Sequence, residues 1–425
     1  MFKIAAATLL ALGLAMPAVA EITAIRAGRV ITDAAQPARG ASTILVENGR
    51  IIEINDAAAA LPAGAKVIDL SGKTVMPGLI DAHVHLTGTP DSQFWQEAVT
   101  TDEYSVAVGL ANAATTLRAG FTTVRDLGSG RLSGFAVRDA IANGIATGPR
   151  TLVSGPAISI IGGHGDVSGY RPEVNAALAM GNTCTGAEQC AARVREASRA
   201  GVDVIKITAT GGVLSQQARG LGQHFTDAEM RAIVTTAHGL GLKVAAHAHG
   251  ARGIEAAANA GVDSIEHGTF ADAAAIQAMV ANKTWYVPTL MAMVGIEERL
   301  GKGTYTPVVE AKIRETLAQR GKALAAAIKA GVRIAYGTDS AVYAHGRNGE
   351  EAAQMVKYAG MSPRAVLVSA TSGAAELLGV AAETSTLAVG KSADLIAVDG
   401  DPLSDVSVVE KPRFVMAKGK AVALQ

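Results

Sequence analysis

Short apolar segments alternate with alanine-rich segments through most of this 425-residue chain. The alanine-rich segments, such as SVAVGLANAATTLRAG and DAEMRAIVTTAHGLG, have the composition of helices. The apolar segments are short enough to be single strands, and there are eight: GLIDAHVHL, TTVRDLG, TLVSGPAIS, DVIKITATGG, KVAAHAHG, DSIEHG, WYVPTL and RIAYGTDS. Because strands that alternate with helices form parallel sheets, the pattern predicts an α/β fold, and eight repeats predict a closed (β/α)8 barrel of the TIM type.

An open, doubly wound parallel sheet is the structural alternative. Dinucleotide-binding sheets of that kind carry a G-x-G-x-x-G loop after the first strand, but HVHLTGTPDS lacks this spacing. The barrel is therefore the preferred interpretation, and its active site is expected at the carboxyl ends of the strands.

The two ends of the chain differ from its middle. Residues 21–76 contain short runs of strand-forming residues separated by turn signals, and residues 384–425 have the same pattern. We expect these two segments to build one small β-sandwich around a barrel that comprises residues 77–383.

Histidines concentrate where the barrel would have its active site. Side chains alternate faces along a strand, so His83 and His85 point the same way and can hold one metal ion, although two hydrogen-bonded core histidines would also fit the pair alone. Asp339 ends the eighth segment in YGTDS. Five of the nine histidines lie at the carboxyl ends of predicted strands one, five and six: His83, His85, His247, His249 and His267. This clustering predicts a metal site.

Lys206 lies inside the apolar segment DVIKITATGG. An unpaired ammonium group there would carry a large desolvation cost. A lysine in such a position can lose its charge, pair with a carboxylate or become covalently modified.

The motifs DAHVH, IKI, AAHAHG, IEHG and GTDS, in this order, resemble the amidohydrolase superfamily, specifically its binuclear members with a carbamylated lysine. The resemblance covers almost the whole chain after residue 20, including the closing VGKSADLIAVDGDPL. It implies two divalent metal ions with the following ligands: His83, His85 and Asp339 on one ion, His247 and His267 on the other, and Lys206, carbamylated by carbon dioxide, bridging both together with a hydroxide.

These residue types suit the implied chemistry. Zinc binds imidazole nitrogen and carboxylate oxygen, and is our default metal. Two ions lower the pKa of a shared water and polarise a carbonyl group. Asp339 is the expected proton shuttle from this water to the leaving amine.

The segments GGHGD, KITATGGVLS and AAHAHG are similar to those of Xaa-Pro dipeptidase-like enzymes and of amidohydrolases that split the phenylalanine amide of ochratoxin. The resemblance implies hydrolysis of an amide bond to an amino acid with a free α-carboxylate, by attack of the metal-bridging hydroxide. Dipeptides, N-acyl amino acids and aryl amides such as ochratoxin A belong to this class.

Three residues are candidates for contact with such a substrate. His249 faces the same side as His247, and the resemblance favours contact with the substrate carbonyl over metal ligation. The resemblance also implies that His164 binds the α-carboxylate, although a histidine in a flexible turn would explain it nearly as well. Arg219 is a further candidate for that carboxylate, with a solvated loop arginine as the favoured interpretation.

Other functions stay open. Deamination is disfavoured by the resemblance, because mononuclear deaminases of the superfamily usually carry a glutamate three residues after the strand-five histidine, where this chain has Gly250, and lack the strand-four lysine. Cyclic amides, lactones and phosphotriesters could be hydrolysed on the same binuclear site. A secreted ligand-binding protein without catalysis is the alternative from a different class.

Composition indicates a soluble globular protein, since 49% of residues are hydrophobic and 18% are charged. The 38 basic and 38 acidic residues balance, so nucleic acid and anionic lipid are not expected partners, and a small-molecule substrate is. The resemblance implies a homo-oligomer, of which an octamer is one form.

Residues 1–20 have the pattern of a secretory signal peptide: an early lysine, a short apolar run and a small-x-small end at Ala18-Val19-Ala20. Cleavage would begin the mature chain at Glu21, in the periplasm or outside the cell. In such an oxidising compartment, Cys184 and Cys190 are expected to form a disulfide rather than a zinc pair.

Overall fold

The computed structural model describes residues 21–90, 94–216 and 220–424. The predicted signal peptide and Arg219 lie outside these ranges. No helix within them is long and apolar enough to cross a membrane.

The described residues form fourteen strands in chain order, which are β1 (Thr23–Val30), β2 (Ser42–Glu47), β3 (Arg50–Asp56), β4 (Lys66–Pro77), β5 (Leu79–Val84), β6 (Phe121–Asp126), β7 (Arg150–Val153), β8 (Val204–Thr208), β9 (Lys243–Ala248), β10 (Ser264–His267), β11 (Trp285–Val287), β12 (Leu395–Val398), β13 (Phe414–Ala417) and β14 (Lys420–Ala421).

Both ends of the chain contribute to one seven-stranded sheet, in the order β14-β13-β12-β4-β1-β2-β3. The long strand β4 joins the two ends, because it pairs with β1 in parallel and with β12 antiparallel. Ile25, Ile44, Val75 and Leu395 are fully buried in a core of their own. The ends therefore meet as expected, but they join edge to edge in one sheet, and the predicted two-layer sandwich is not confirmed.

The middle of the chain has the predicted α/β organisation. It forms one parallel sheet in the order β5-β6-β7 and another in the order β11-β10-β9-β8. Strands β5, β6, β8, β10 and β11 are buried along their whole length, as is typical of parallel strands covered on both faces. Seven of the eight predicted segments thus contain strands.

The eighth predicted segment, residues 333–340, forms no regular strand. Within it, Ile334 and Ser340 form only isolated bridges, and the backbone leaves extended geometry at Asp339, where φ is 63°. The isolated bridges Ile158–Ile207, Tyr286–Ile334 and Val84–Ser340 link the sheets and this segment. The two sheets are not one closed sheet, and the arrangement is consistent with a TIM-type barrel.

Helices connect the parallel strands. Both alanine-rich segments singled out above are helical, and the second begins with a capping box in which Thr226 and Glu229 bond each other's backbone N–H groups. The helices among the described residues are α1 (Asp102–Arg118), α2 (Ser133–Ala142), α3 (Pro172–Leu178), α4 (Ala187–Ala200), α5 (Asp227–Gly239), α6 (Ala251–Ala260), α7 (Ala273–Ala281), α8 (Leu290–Arg299), α9 (Pro307–Leu317), α10 (Lys322–Lys329), α11 (Glu350–Ala359), α12 (Pro363–Val368) and α13 (Ala374–Leu378).

Cys184 and Cys190 are joined by a disulfide with their Cα atoms 5.0 Å apart. The bridge closes the turn that leads into α4, and the Cys184 N–H donates to the carbonyl of Ser159. The disulfide thus lies beside the loop that follows β7.

Removing this disulfide should lower stability modestly. For the double variant Cys184→Ser/Cys190→Ser we expect the free energy of unfolding to fall by about 2 kcal/mol, because a short loop restricts the unfolded chain little. Urea unfolding of the variant and of the oxidised protein measures the difference. An unchanged urea midpoint would contradict the prediction.

Candidate metal centre

The predicted metal-ligating residues come together at one end of the parallel strands. His83 is in β5 and His85 follows it, Lys206 is in β8, and His247 and His267 lie at or near the ends of β9 and β10. Together with Asp339, they line a cavity of about 930 Å³. The structure therefore assembles residues that are more than 250 positions apart in the sequence.

His83, His85 and Asp339 form the first group. Asp339 Oδ1 lies 3.5 Å from His83 Nε2 and 3.2 Å from His85 Nε2. The backbone holds this geometry, because the Asp339 N–H donates to the His83 carbonyl at 2.7 Å. Burial alone would raise the pKa of Asp339, but His83 and His85 hold it well below its usual range. The carboxylate is therefore ionised, as metal binding requires.

The second group contains His247, His249 and His267. The potential ligand atoms of these three side chains all lie within 4.8 Å of one another. The ring centroids are 4.6 to 4.9 Å apart, so His249 lies as close to the other two as they lie to each other. Its predicted contact with substrate stays a prediction, and its position would also allow ligation.

Each of the five rings in the two groups has one nitrogen in contact with a residue outside them. His85 Nδ1 donates to the Gly128 carbonyl, His267 Nδ1 lies 2.7 Å from Thr289 Oγ1, and His247 Nε2 donates to the Gly211 carbonyl. A contact with a carbonyl places the proton on the contacting nitrogen and leaves the other nitrogen free to bind a metal, whereas the Thr289 hydroxyl orients the His267 ring without selecting a tautomer.

Burial keeps most of these imidazoles neutral. It lowers the pKa of His83 and of His249 to about 4, and it lowers the pKa of His247 and His267 well below the usual value. Burial opposes protonation of His85 as well, but its hydrogen bond with Asp339 raises its pKa. Metal binding requires neutral imidazoles and an ionised carboxylate, and these are the protonation states that the site favours.

Lys206 is 4% exposed in the same cavity. Among the residues that the structure describes, none accepts a hydrogen bond from its Nζ. Burial lowers the pKa of its ammonium group to about 8, against the opposing charges of Glu266 and Asp339. A buried ammonium group that donates no hydrogen bond to the described residues is costly to desolvate.

His164 lines the cavity from the loop after β7. Its Nδ1 is 2.7 Å from Ser215 Oγ, and its ring centroid is 4.2 Å from that of His247. A Cβ atom at Gly212 would lie 2.3 Å from the His164 ring, so only glycine permits this close approach. His164 is thus beside the second group, where it could meet a substrate.

Two buried charged residues next to the site were not anticipated from the sequence. Arg125 and Glu266 pair at 2.9 Å, and Glu266 also accepts a hydrogen bond from His83 Nδ1 at 2.8 Å. The signal was their position inside the apolar segments TTVRDLG and DSIEHG, where a charge needs a partner.

The outer part of the cavity has a mixed lining. Apolar side chains and a few charged ones line the cavity together with the ligand groups. The apolar residues include Leu127, Leu178, Met180, Val213, Met293 and Ile296, and the charged ones are Glu97, Asp102, Arg131 and Asp166. Such a lining suits an organic molecule larger than a single amino acid.

Buried imidazoles, a carboxylate and a lysine that meet at one end of parallel strands are typical of the class of α/β hydrolases whose site can bind metal. Residues 74–422 match the amidohydrolase family, and the chain belongs to this family. It is a hydrolase that acts on amide bonds. Members of the family typically depend on metal, and the two histidine-containing groups described above could bind one.

Individual relatives agree with this assignment. The chain is 32% identical to ochratoxinase of Aspergillus niger over 417 residues, which are 93% of this chain and 85% of that protein. A crystal structure of a Xaa-Pro dipeptidase with bound methionine matches with a TM-score of 0.86 and 35% identity, over 94% of this chain and 99% of that one. The crystal structure of A. niger ochratoxinase matches with a TM-score of 0.83 and 28% identity, over 95% of both chains.

Proposed function

We propose that this protein removes an amino acid with a free α-carboxylate from an acyl group, acting on a dipeptide, an N-acyl amino acid or an aryl amide such as ochratoxin A. The observation that carries the proposal is the cavity of about 930 Å³, which has both ligand groups and Lys206 in its wall. The similarity to an ochratoxinase and to a Xaa-Pro dipeptidase supports the same substrate class.

Two divalent ions, with zinc as our default, fit the residues present. His83, His85 and Asp339 would hold one ion, and His247 with His267 would hold the other. Lys206 as a carbamate would bridge them. Burial lowers the pKa of its amine to about 8, which makes the neutral form that reacts with carbon dioxide more populated than in an exposed lysine. When bound, the ions lower the pKa of water and polarise the scissile carbonyl group.

The side chains would divide the remaining work. Asp339 would accept a proton from the attacking water on its carboxylate and deliver it to the leaving nitrogen. His249 would contact the substrate carbonyl, and His164 would bind the α-carboxylate. The apolar outer lining would hold the acyl group and exclude water from the reaction.

We further propose that residues 1–20 direct secretion, which the disulfide between Cys184 and Cys190 suits. A homo-oligomer stays an expectation from the family resemblance. We also propose that the two parallel sheets belong to one (β/α)8 barrel, which the bridges between them support.

Amino-acid release from a panel of substrates tests the reaction. The zinc-loaded mature protein is expected to release the C-terminal residue from particular dipeptides, N-acyl amino acids or ochratoxin A. The same compounds with the α-carboxylate blocked as an amide are the matched control and should not be cleaved. If the panel is silent although two metal ions are bound, cyclic amides, lactones and phosphotriesters become the next substrates to try. Tight binding without turnover of any of them would favour a ligand-binding protein.

A further inference from the structure

Glu266 lies in β10, one residue before His267, and none of its surface is exposed. Its Oε2 accepts a hydrogen bond from His83 Nδ1 at 2.8 Å. Its Oε1 accepts from Arg125 Nη2 at 2.9 Å and from Ser264 Oγ at 2.5 Å. Both carboxylate oxygens are therefore used inside the protein.

Arg125 holds this carboxylate from β6. It is 2% exposed, and its Nε donates at 2.6 Å to the carbonyl of Ala82, the residue before His83. Its Nη1 lies 3.3 Å from Ser264 Oγ. The Arg125 guanidinium thus bonds both the Glu266 carboxylate, which contacts the His83 ring, and the backbone next to His83.

The partner of His83 differs in charge from those of the other rings. His85 donates to a backbone carbonyl, and His267 and His249 contact the hydroxyl groups of Thr289 and Thr269. Among the described residues, only His83 has a carboxylate on its Nδ1. Because an ionised carboxylate accepts but cannot donate, Nδ1 carries the proton and Nε2, which is 3.5 Å from Asp339, keeps its lone pair.

Stability alone does not account for the pair, because two buried charges are costly to desolvate and an apolar pair of similar volume is often as stable. A carboxylate behind a metal-binding histidine instead orients the ring and increases its basicity. We propose that Glu266 is a positioning residue for His83, and that Arg125 holds the Glu266 carboxylate in place.

This inference rests on the proposed metal site, so the test measures zinc affinity directly. For Glu266→Gln we expect zinc to bind about 10- to 100-fold more weakly, measured by competition with a chromophoric chelator. The variant also leaves Arg125 unpaired and should be less stable. In the double variant Arg125→Met/Glu266→Gln both charges are gone, so the thermal unfolding midpoint should recover while zinc affinity stays low.

Asp394→Asn is the matched control, because Asp394 is another buried carboxylate paired with an arginine, Arg150, at 2.8 Å. It should lose stability and keep its zinc affinity. Unchanged zinc affinity in Glu266→Gln, or affinity that recovers together with stability in the double variant, would overturn the positioning role. If the wild-type protein itself binds no zinc, the proposed metal centre fails, and this inference fails with it.

Discussion

Asp339→Asn is expected to lower kcat by about 10²- to 10⁴-fold, the usual contribution of a general acid or base. Asparagine has nearly the same shape, and it tolerates the left-handed backbone conformation that Asp339 adopts at φ 63°. It cannot accept the proton of the attacking water, however, and it removes the negative charge that faces His83 and His85. Steady-state kinetics on a cleaved member of the substrate panel, together with metal analysis, measure the effect.

The matched control for this variant is Asp263→Asn. Asp263 caps the backbone of Val244 and contacts His238 away from the cavity. This variant should keep nearly normal turnover, even where its unfolding temperature falls. Near-wild-type turnover of Asp339→Asn with a normal metal content would exclude Asp339 as the proton shuttle.

The second large effect is expected for Lys206→Ala, which should lose about 10³-fold or more in turnover and bind less metal. The truncation removes the buried amine that the proposed carbamate needs, and several kcal/mol of electrostatic stabilisation correspond to losses of this size. Turnover and bound metal are measured on the same sample. Lys243→Ala, which removes a lysine that donates to carbonyls at the end of α13, is the matched control and should stay active.

The carbamate itself has a separate test. The metal-free wild-type protein should regain activity when zinc is added together with bicarbonate, and much less when zinc is added under carbon dioxide-free conditions. Equal recovery in both would indicate that Lys206 acts as an unmodified amine. Full activity of Lys206→Ala would instead contradict any role for this residue in the reaction.

Much of the fold could be predicted from local sequence, because burial on both faces makes a parallel strand a short apolar run. Seven of the eight predicted segments contain strands for that reason. The eighth segment forms only isolated bridges and turns into a left-handed conformation at Asp339, which the composition of YGTDS does not reveal. The two-layer sandwich was also not confirmed, since strand composition does not specify whether two segments stack or pair through a strand such as β4.

For the candidate site, the sequence predicted which residues take part but not their contacts. Polar residues such as His83 and Lys206 can be recognised in the sequence because they interrupt apolar segments. Glu266 and Arg125 could be recognised in the same way. Their hydrogen-bonding partners could not be predicted, because a hydrogen bond between strands depends on how the strands are arranged in the fold. The sequence could likewise place His249 on the same side as His247, but it could not give the distance between His249 and His267.

By itself, the sequence determined the α/β repeat and the residue types that meet at the strand ends, because hydrophobic periodicity and the two-residue alternation of a strand are local properties. The tertiary structure alone decided the distances and the charge environment. It brought Asp339 to 3.2 Å from His85, buried Lys206 without a hydrogen-bonding partner among the described residues, and set the Glu266 carboxylate between His83 and Arg125. These features depend on strand order and on desolvation, which arise only when distant segments pack together.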